Sequence, residues 1–423
     1  MIDVFPFAGF PVAVFGLGRS GIATALALQE SDAEVWAWDD NEDARAAAEA
    51  EGVSLNDLHA CDWREMTTLV VSPGVPLDHP EVHPIVANAR AANCEVIGDI
   101  ELLVRTQRWC NYIGITGTNG KSTTTALLGH IMQVAGREAE VGGNLGIPVL
   151  TLDPLGAEGT YVLEMSSYQL ELTPSVTFDV AVLLNISADH LDRHGGMDGY
   201  IAAKRIIFQR QTKPRAAIIG IDDDICRGIC DKLKAADEQV VIPVSGRERV
   251  HGGVYAIDCV LYDDMDGTEM PVCNLRQNPS LLGTHNGQNA AAAYAAARRT
   301  YHRCDISAAT PSARAPTCSM PTTGTGNGTT AGAGTTTATT TATTVNGTTT
   351  TTCTRPRGAI TRPTGRGARP GGTLQGRWAP AAAAATPVTR LPTAVTLLTV
   401  ATIRGCTAAD LTACTVTRWT RTV

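Results

Sequence analysis

Residues 114–125, GITGTNGKSTTT, hold the densest chemistry in the chain. They follow a short apolar run, Tyr112 and Ile113, and lead into ALLGHIMQVAG, whose apolar residues recur at helical spacing. In a strand, glycine-rich turn and helix taken in that order, backbone N–H groups and the positive end of the helix converge on a phosphate. Gly117, Thr118, Asn119 and Gly120 would form the cradle. Lys121 would reach the β- and γ-phosphates of a nucleotide, and the hydroxyl of Ser122, with Thr123 beside it, would face Mg²⁺. The glycines fall at Gly114, Gly117 and Gly120, and Ile115 stands where the common P-loop has another glycine. A Gly/Thr-rich turn with a surface lysine is the plainer alternative.

Further polar side chains gather at predicted strand ends. A strand at 161–163 delivers Glu164 and Ser166 in EMSSYQLE. A carboxylate there can hold the Mg²⁺ that bridges β- and γ-phosphates, or it can be an ordinary strand-end acid. After the strand at 180–184, Asn185, Asp189, His190, Asp192 and His194 crowd one loop. A lone histidine is usually structural, but this setting also suits a functional one. Lys204 lies on the next helix, where a lysine is most often solvated. Asn286 and Asn289, three apart in a helix predicted over 284–299, share a face.

The elements that must carry these groups are those of an α/β chain. Strand 12–15, the spacing Gly16, Gly18, Gly21, an alanine-rich helix and strand 34–38 ending in Asp39 and Asp40 form a Rossmann-like opening. That loop serves either a dinucleotide or some other phosphate. Strand 69–71 runs into SPGVP, residues 72–76, and strand 95–97 and a helix from Asp99 close a first domain, 1–108. A second domain, 109–303, opens with the P-loop. It continues through a turn at 142–146 holding Asn144, a strand at 216–221 and hairpins over 250–283.

A length of 423 residues suits two or three domains. The net charge of −8 argues against a broad nucleic-acid surface. No run of about 18 apolar residues predicts a membrane span. The apolar start has no basic n-region, so it reads as a strand rather than an export signal. Of 12 cysteines only Cys226 and Cys230 are closely spaced, which predicts reduced thiols, a cytoplasmic place and no zinc site.

The last third is a different kind of sequence. Residues 1–305 carry 23 Lys+Arg and 41 Asp+Glu, whereas residues 306–423 carry 11 Arg, no Lys and one acid, Asp410. A stretch such as TTGTGNGTTAGAGTTTATTTATTV has no packable face, so 304–423 is expected to be a disordered low-complexity tail.

TGTNGKST, EMSSYQLE and DHLDRH followed by YIAAK resemble the Mur ligase family, and SSYQLE with GLGRSG resembles its D-glutamate-adding branch. The likeness covers about residues 10–300. It implies a Rossmann-like domain, a central P-loop ATPase domain and a third Rossmann-like domain. By that resemblance Gly16, Leu17, Gly18, Ser20, Asp39, Ser72, Pro73 and Gly74 would hold UDP-N-acetylmuramoyl-L-alanine rather than NAD, with Asn144 and Ser166 at its muramoyl-alanine part. Lys121 would grip the phosphates of ATP, and Asn286 and Asn289 would face adenine. Ser122 and Glu164 would serve one Mg²⁺, and His190 with a carbamylated Lys204 a second. The implied reaction joins D-glutamate through an acyl phosphate, in a monomer.

The family's histidine-arginine and Asp-Ser-Lys segments of the third domain have no counterpart here, and no lysine follows Asp305. A GC-rich gene read out of frame from about codon 300–320 would give this Ala/Thr/Arg/Pro/Gly mixture; a genuine low-complexity tail is the alternative. Impaired activity is the expectation, with a non-catalytic nucleotide-binding remnant as the second reading. An NAD oxidoreductase would leave the P-loop unexplained, and a folate-type glutamate ligase would leave EMSSYQLE unexplained.

Overall fold

The computed structural model describes residues 1–144 and 146–309. The tail expected from 304, with its expected disorder, lies outside the described residues apart from the first few positions.

Two sheets organise the described chain. The first holds β1 (Pro11–Phe15), β2 (Glu34–Trp38), β3 (Thr68–Val71) and β4 (Glu95–Ile97), all parallel, in the order β2-β1-β3-β4. Its helices are α1 (Arg19–Glu30), α2 (Glu42–Ala50), α3 (Pro84–Ala91) and α4 (Asp99–Thr106). The strand order reverses between β1 and β3, so the glycine loop after β1 and the SPGVP turn after β3 flank one crevice at the strands' carboxyl ends. Gly21 shows how tightly that loop is built: a Cβ there would lie 1.8 Å from Gly16 O.

The second sheet follows. It comprises β5 (Asn111–Thr116), β6 (Ala139–Gly143), β7 (Thr160–Glu164), β8 (Val180–Leu183), β9 (Ala216–Gly220), β10 (Val240–Ser245), β11 (Val254–Ile257), β12 (Val260–Asp263) and β13 (Met270–Asn274). Its order is β13-β12-β11-β10-β9-β8-β5-β7-β6, parallel from β11 to β6 and antiparallel through β12 and β13. The β12–β13 register shifts between Leu261 and Tyr262, and Pro271 stands within β13. The helices are α5 (Lys121–Val134), α6 (Ser167–Glu171), α7 (Met197–Arg205), α8 (Asp224–Ala236) and α9 (Thr284–Ala309). All residues of β7, β8 and β9 are buried, as both-face-covered parallel strands require, and their apolar runs are unbroken for that reason. Ala290 to Ala293 and Ala295 to Ala297 are buried, and their small side chains let α9 lie close on the sheet. Helix α9 runs on past the expected end at Arg299.

One hydrophobic cluster includes Val12, Val14 and Leu28 from the first sheet's layers and Val149, Leu163 and Phe178 from the second's. Polar contacts reinforce it. Ile2 N donates to Leu150 O at 2.8 Å, and the buried carboxylate of Glu101 on α4 accepts from Ser175 N at 3.1 Å and pairs with Arg105 at 2.8 Å. The two crevices are therefore held by one continuous body.

Candidate functional site

The P-loop leaves β5 where the sheet order turns, with β8 on one side and β7 on the other. Gly120 is the N-cap of α5, in the left-handed region at φ +85°, and a Cβ there would lie 2.3 Å from Asn289 Oδ1. A glycine is needed on both counts. The same contact places Asn289 against the loop. Asn289 Nδ2 donates to Asn286 Oδ1 (3.2 Å), while Asn286 Nδ2 donates to the carbonyls of Ser280 (3.2 Å) and Leu282 (3.0 Å). The pair expected on one face is thus joined, and Asn289 is the member beside the P-loop.

Two ammonium groups meet on one carbonyl. Lys121 Nζ donates to Gly117 O (3.0 Å) and Thr118 O (2.9 Å), and Lys204 Nζ donates to the same Gly117 O (3.0 Å). Lys204 is only 2% exposed, against the sequence expectation for a helix lysine. Its amine is pushed down to about 7, first by burial and then by Lys121. No carboxylate lies within ion-pair distance of Lys204 among the described residues. Together with the N-terminus of α5, Lys121 makes a positive pocket suited to an anion, with the buried Lys204 amine beside it on the same carbonyl.

Beside it stands Glu164, which ends β7 and is paired in register with Ile115 of β5 and Gly143 of β6. It is 2% exposed. Oε1 accepts from Asn144 Nδ2 at 2.8 Å, but Oε2 is buried with no partner. A buried carboxylate oxygen without a donor has room for a cation to supply the missing contact. No group of three or more His, Cys, Asp or Glu converges among the described residues. That fits Mg²⁺, which is commonly held by one or two protein oxygens with phosphates and water completing the shell. Glu164 is the residue that this observation fits to the ion, and Ser122 is the second residue of α5.

The loop over residues 185–196 closes this site. Asn185 Oδ1 accepts from Asn119 N (2.8 Å) and Asn185 Nδ2 donates to Asn119 O (3.0 Å). Thr118 Oγ1 meets Ser187 O (3.2 Å), Ser187 N (3.0 Å) and Tyr200 Oη (3.1 Å). His190 sits at φ +51°, exposed, with Nε2 3.6 Å from Asp189 Oδ2 and its ring 5.5 Å from that of Tyr168. His194, by contrast, is buried. His194 Nε2 meets Ser167 Oγ (2.9 Å), Nδ1 meets Glu171 Oε1 (3.3 Å), and the ring stacks on Tyr168 at 5.2 Å.

The Glu171–His194 pair gives a pH signature. Burial and then Asp78 hold the Glu171 carboxyl up at about 7, from an ordinary 4.5. Burial and then Lys204, Arg193, His190 and His79 hold His194 down at about 4, from 6.5. Between 4.5 and 7 the native Glu171 keeps a proton that the unfolded chain has lost, so its contribution to stability falls as pH rises. Between 4 and 6.5 the unfolded His194 binds a proton that the native one refuses, so its contribution rises with pH. The two slopes offset each other. Glu171→Gln is expected to add a rising slope over pH 4.5–6.5 relative to the parent, and His194→Asn a falling one, in denaturant unfolding across that range. Parallel profiles for all three chains would refute the assignment.

Other expected site residues are engaged locally. Ser166 is the N-cap of α6 in a capping box with Gln169, so its hydroxyl is bonded within the helix end. Ser72 Oγ donates to Gly16 O (2.6 Å) and Asp39 Oδ2 accepts from Leu17 N (2.6 Å), so both shape the first crevice. Gly18 precedes α1, Ser20 lies in its first turn, and Pro73 and Gly74 form the turn after β3. Sequence reasoning did not single out Arg193, Ser167 or Glu171. The signal available was their place in the DHLDRH and SSYQLE segments already read as functional.

Residues 11–98 match the family Mur ligase MurD-like, N-terminal domain, and residues 115–297 match Mur ligase middle domain. UDP-N-acetylmuramoylalanine–D-glutamate ligase of Caulobacter vibrioides is 52% identical over 304 residues, covering 70% of this chain and 64% of that protein. The protein of the same name from Rhodospirillum rubrum is 49% identical over 304 residues, covering 71% and 64%. The chain thus spans a little under two thirds of the length of these relatives. The solved UDP-N-acetylmuramate:L-alanyl-gamma-D-glutamyl-meso-diaminopimelate ligase from Neisseria meningitides aligns at 19% identity and a TM-score of 0.48, over 69% of this chain and 94% of that one.

Proposed function

The chain belongs to the Mur ligase family through its N-terminal and middle domains, and on that premise we propose that it is an ATP-dependent ligase of peptidoglycan precursor synthesis. The reaction joins D-glutamate to UDP-N-acetylmuramoyl-L-alanine. The observation that carries this reading is that Lys121 and the buried Lys204 converge on Gly117 O in the same site as the unpartnered oxygen of Glu164. The high identity to ligases of that printed name, with D-glutamate as their substrate, directs it to this branch.

The first crevice, with Gly16, Leu17, Gly18, Ser20, Asp39 and Ser72 to Gly74, holds the UDP part of the substrate. Asn144, bonded to Glu164, and Ser166, capping α6, face the muramoyl-alanine end. Lys121 exchanges its bonds to Gly117 O and Thr118 O for the β- and γ-phosphates of ATP. Gly117 to Thr123 cradle those phosphates, and Asn286 and Asn289 face adenine. The substrate carboxylate attacks the γ-phosphorus, ADP leaves, and the resulting acyl phosphate is taken by the amine of D-glutamate with loss of phosphate. Ser122 with Glu164, and His190 with Lys204, would hold magnesium, which would supply charge neutralisation for the transferring group. Lys204 suits carbamylation, because only a neutral amine adds CO₂ and an amine near 7 is substantially neutral at working pH. The modified side chain would be an anionic oxygen donor.

Residues 304–423 carry none of the family's third-domain segments, so the activity of this 423-residue chain is impaired in this reading. A cytoplasmic monomer is part of the same proposal. Among the described residues no helix is long and apolar enough to cross a membrane.

The test is calorimetric. A non-hydrolysable ATP analogue is expected to bind the chain with Mg²⁺, and Glu164→Gln is expected to weaken that binding by about 10-fold, the scale of one charge-assisted contact. A flat trace from the natively folded parent would overturn the assignment.

A further inference from the structure

The loop after β8 touches both ligand sites proposed above. At its start Asn185 and Ser187 hold Asn119 and Thr118 of the P-loop. At its far end Arg193 reaches across to the first sheet's crevice. Nη1 donates to Gly74 O (2.7 Å) and Nη2 to Val75 O (3.0 Å), while the guanidinium lies 4.8 Å over the ring of Tyr168. No carboxylate pairs with it within 4 Å among the described residues. The cation is therefore directed at backbone carbonyls of the turn expected to hold substrate. That turn is itself fastened: Ser72 Oγ donates to Gly16 O and Val75 N donates to Ser72 O (3.0 Å). The root of Arg193 is equally fixed, because the next residue, His194, is bonded to Ser167 on α6. His79 adds a second crossing, since a Cβ on Gly195 would lie 2.7 Å from its Nε2.

An unbroken run of contacts thus joins Gly16, Ser72, the carbonyls of Gly74 and Val75, Arg193, the 185–194 loop, Thr118 and Asn119. We propose that Arg193 is a positioning residue that couples occupancy of the UDP-substrate crevice to occupancy of the P-loop. By gripping two successive carbonyls with a planar fork it sets the height of the substrate turn against the nucleotide. Lysine keeps the charge but presents a single point donor, so it cannot reproduce the fork.

This inference rests on the function proposed above, and the experiment separates the two. The affinity of the full chain for a non-hydrolysable ATP analogue with Mg²⁺ is measured with and without saturating UDP-N-acetylmuramoyl-L-alanine, in the parent, Arg193→Lys and Arg193→Ala. The parent is expected to show coupling of about 5- to 100-fold, reciprocal when the titration is reversed. In Arg193→Lys each ligand alone is expected to bind within about threefold of the parent, with the coupling reduced to about twofold or less. A merely structural arginine would instead shift the single-ligand affinities or the melting temperature and leave the coupling intact. A folded parent that binds neither ligand would overturn the functional reading itself. A parent that binds both without coupling, or an Arg193→Lys chain that retains it, would overturn this inference alone.

Discussion

Replacing Lys204 with methionine is expected to make the unliganded chain more stable and a worse nucleotide binder. The ammonium is 2% exposed, held by Gly117 O and a longer contact to Thr116 Oγ1, and crowded by Lys121. Moving a lysine pKa from 10.5 to about 7 means that burial disfavours the charged form by several kcal/mol at neutral pH. Methionine matches the stem and removes the charge. Part of the gain is offset because Gly117 O loses a donor, so a net rise of about 2 kcal/mol is expected. The sign with pH is fixed. Below 7 both the folded and the unfolded lysine are charged and the native penalty is complete. From 7 to 10.5 the unfolded chain holds a proton that the native one has shed, so the parent gains stability as pH rises and the advantage of methionine shrinks. Denaturant unfolding in CO₂-depleted buffer at pH 7 and pH 10 reads both effects. The same substitution should weaken Mg²⁺-dependent binding of an ATP analogue by at least about 10-fold, because methionine cannot be carbamylated and offers no oxygen donor to the ion. A Lys204→Met chain less stable than the parent at pH 7 would contradict the assignment of Lys204 as a strained, function-bearing group.

The second large effect concerns the last third of the chain. As it stands the 423-residue protein is expected to form little or no D-glutamyl product. A chimera that keeps residues 1–303 and continues with the remaining length of the Caulobacter vibrioides relative is expected to turn over at least about 10³-fold faster. Orientation of the amine makes the difference. In the proposed reaction, amide formation needs an amine held against the acyl phosphate in a site closed to water. Such orientation is worth effective molarities of about 10⁵–10⁸ M when complete. Product assay with all three substrates, beside ADP release, separates a block at amine delivery from a failure to bind. Robust product from the parent chain would refute the claim. The coding DNA offers a cheaper check: if neither alternative frame past codon 300 encodes His-Arg and Asp-Ser-Lys segments, the frame-change explanation of the tail fails.

Much of the fold was legible because parallel strands buried on both faces are continuous apolar runs bounded by glycine. The strand at Glu34–Trp38 and that at Glu95–Ile97 fall where the sequence puts them. The strand at Ala139–Gly143 overlaps the turn expected at 142–146 and has no sequence expectation over 139–141, since AEVGG has one strong strand former and two glycines; its place is fixed by pairing with Thr160–Glu164. The strand at Val240–Ser245 carries a proline and was not singled out. At the site, residue types pointed to Lys121, Glu164 and Asn289. What they could not give is which polar groups are already satisfied. Ser166 and Ser72 look alike as candidate contacts in the sequence, yet their hydroxyls close a helix cap and a loop. Arg193 looks like a surface charge until its two carbonyl partners, more than a hundred residues earlier, are seen.

The margin of the larger sheet bears on handling the protein. Its outermost ladder slips out of step between Leu261 and Tyr262, and the final strand places a proline at 271, which has no N–H to lend. A neighbouring molecule seeking to extend the sheet from that side would find an interrupted template. Although Met270 is more than half exposed there, the rim discourages edge-to-edge aggregation, an advantage in the concentrated samples that calorimetry requires.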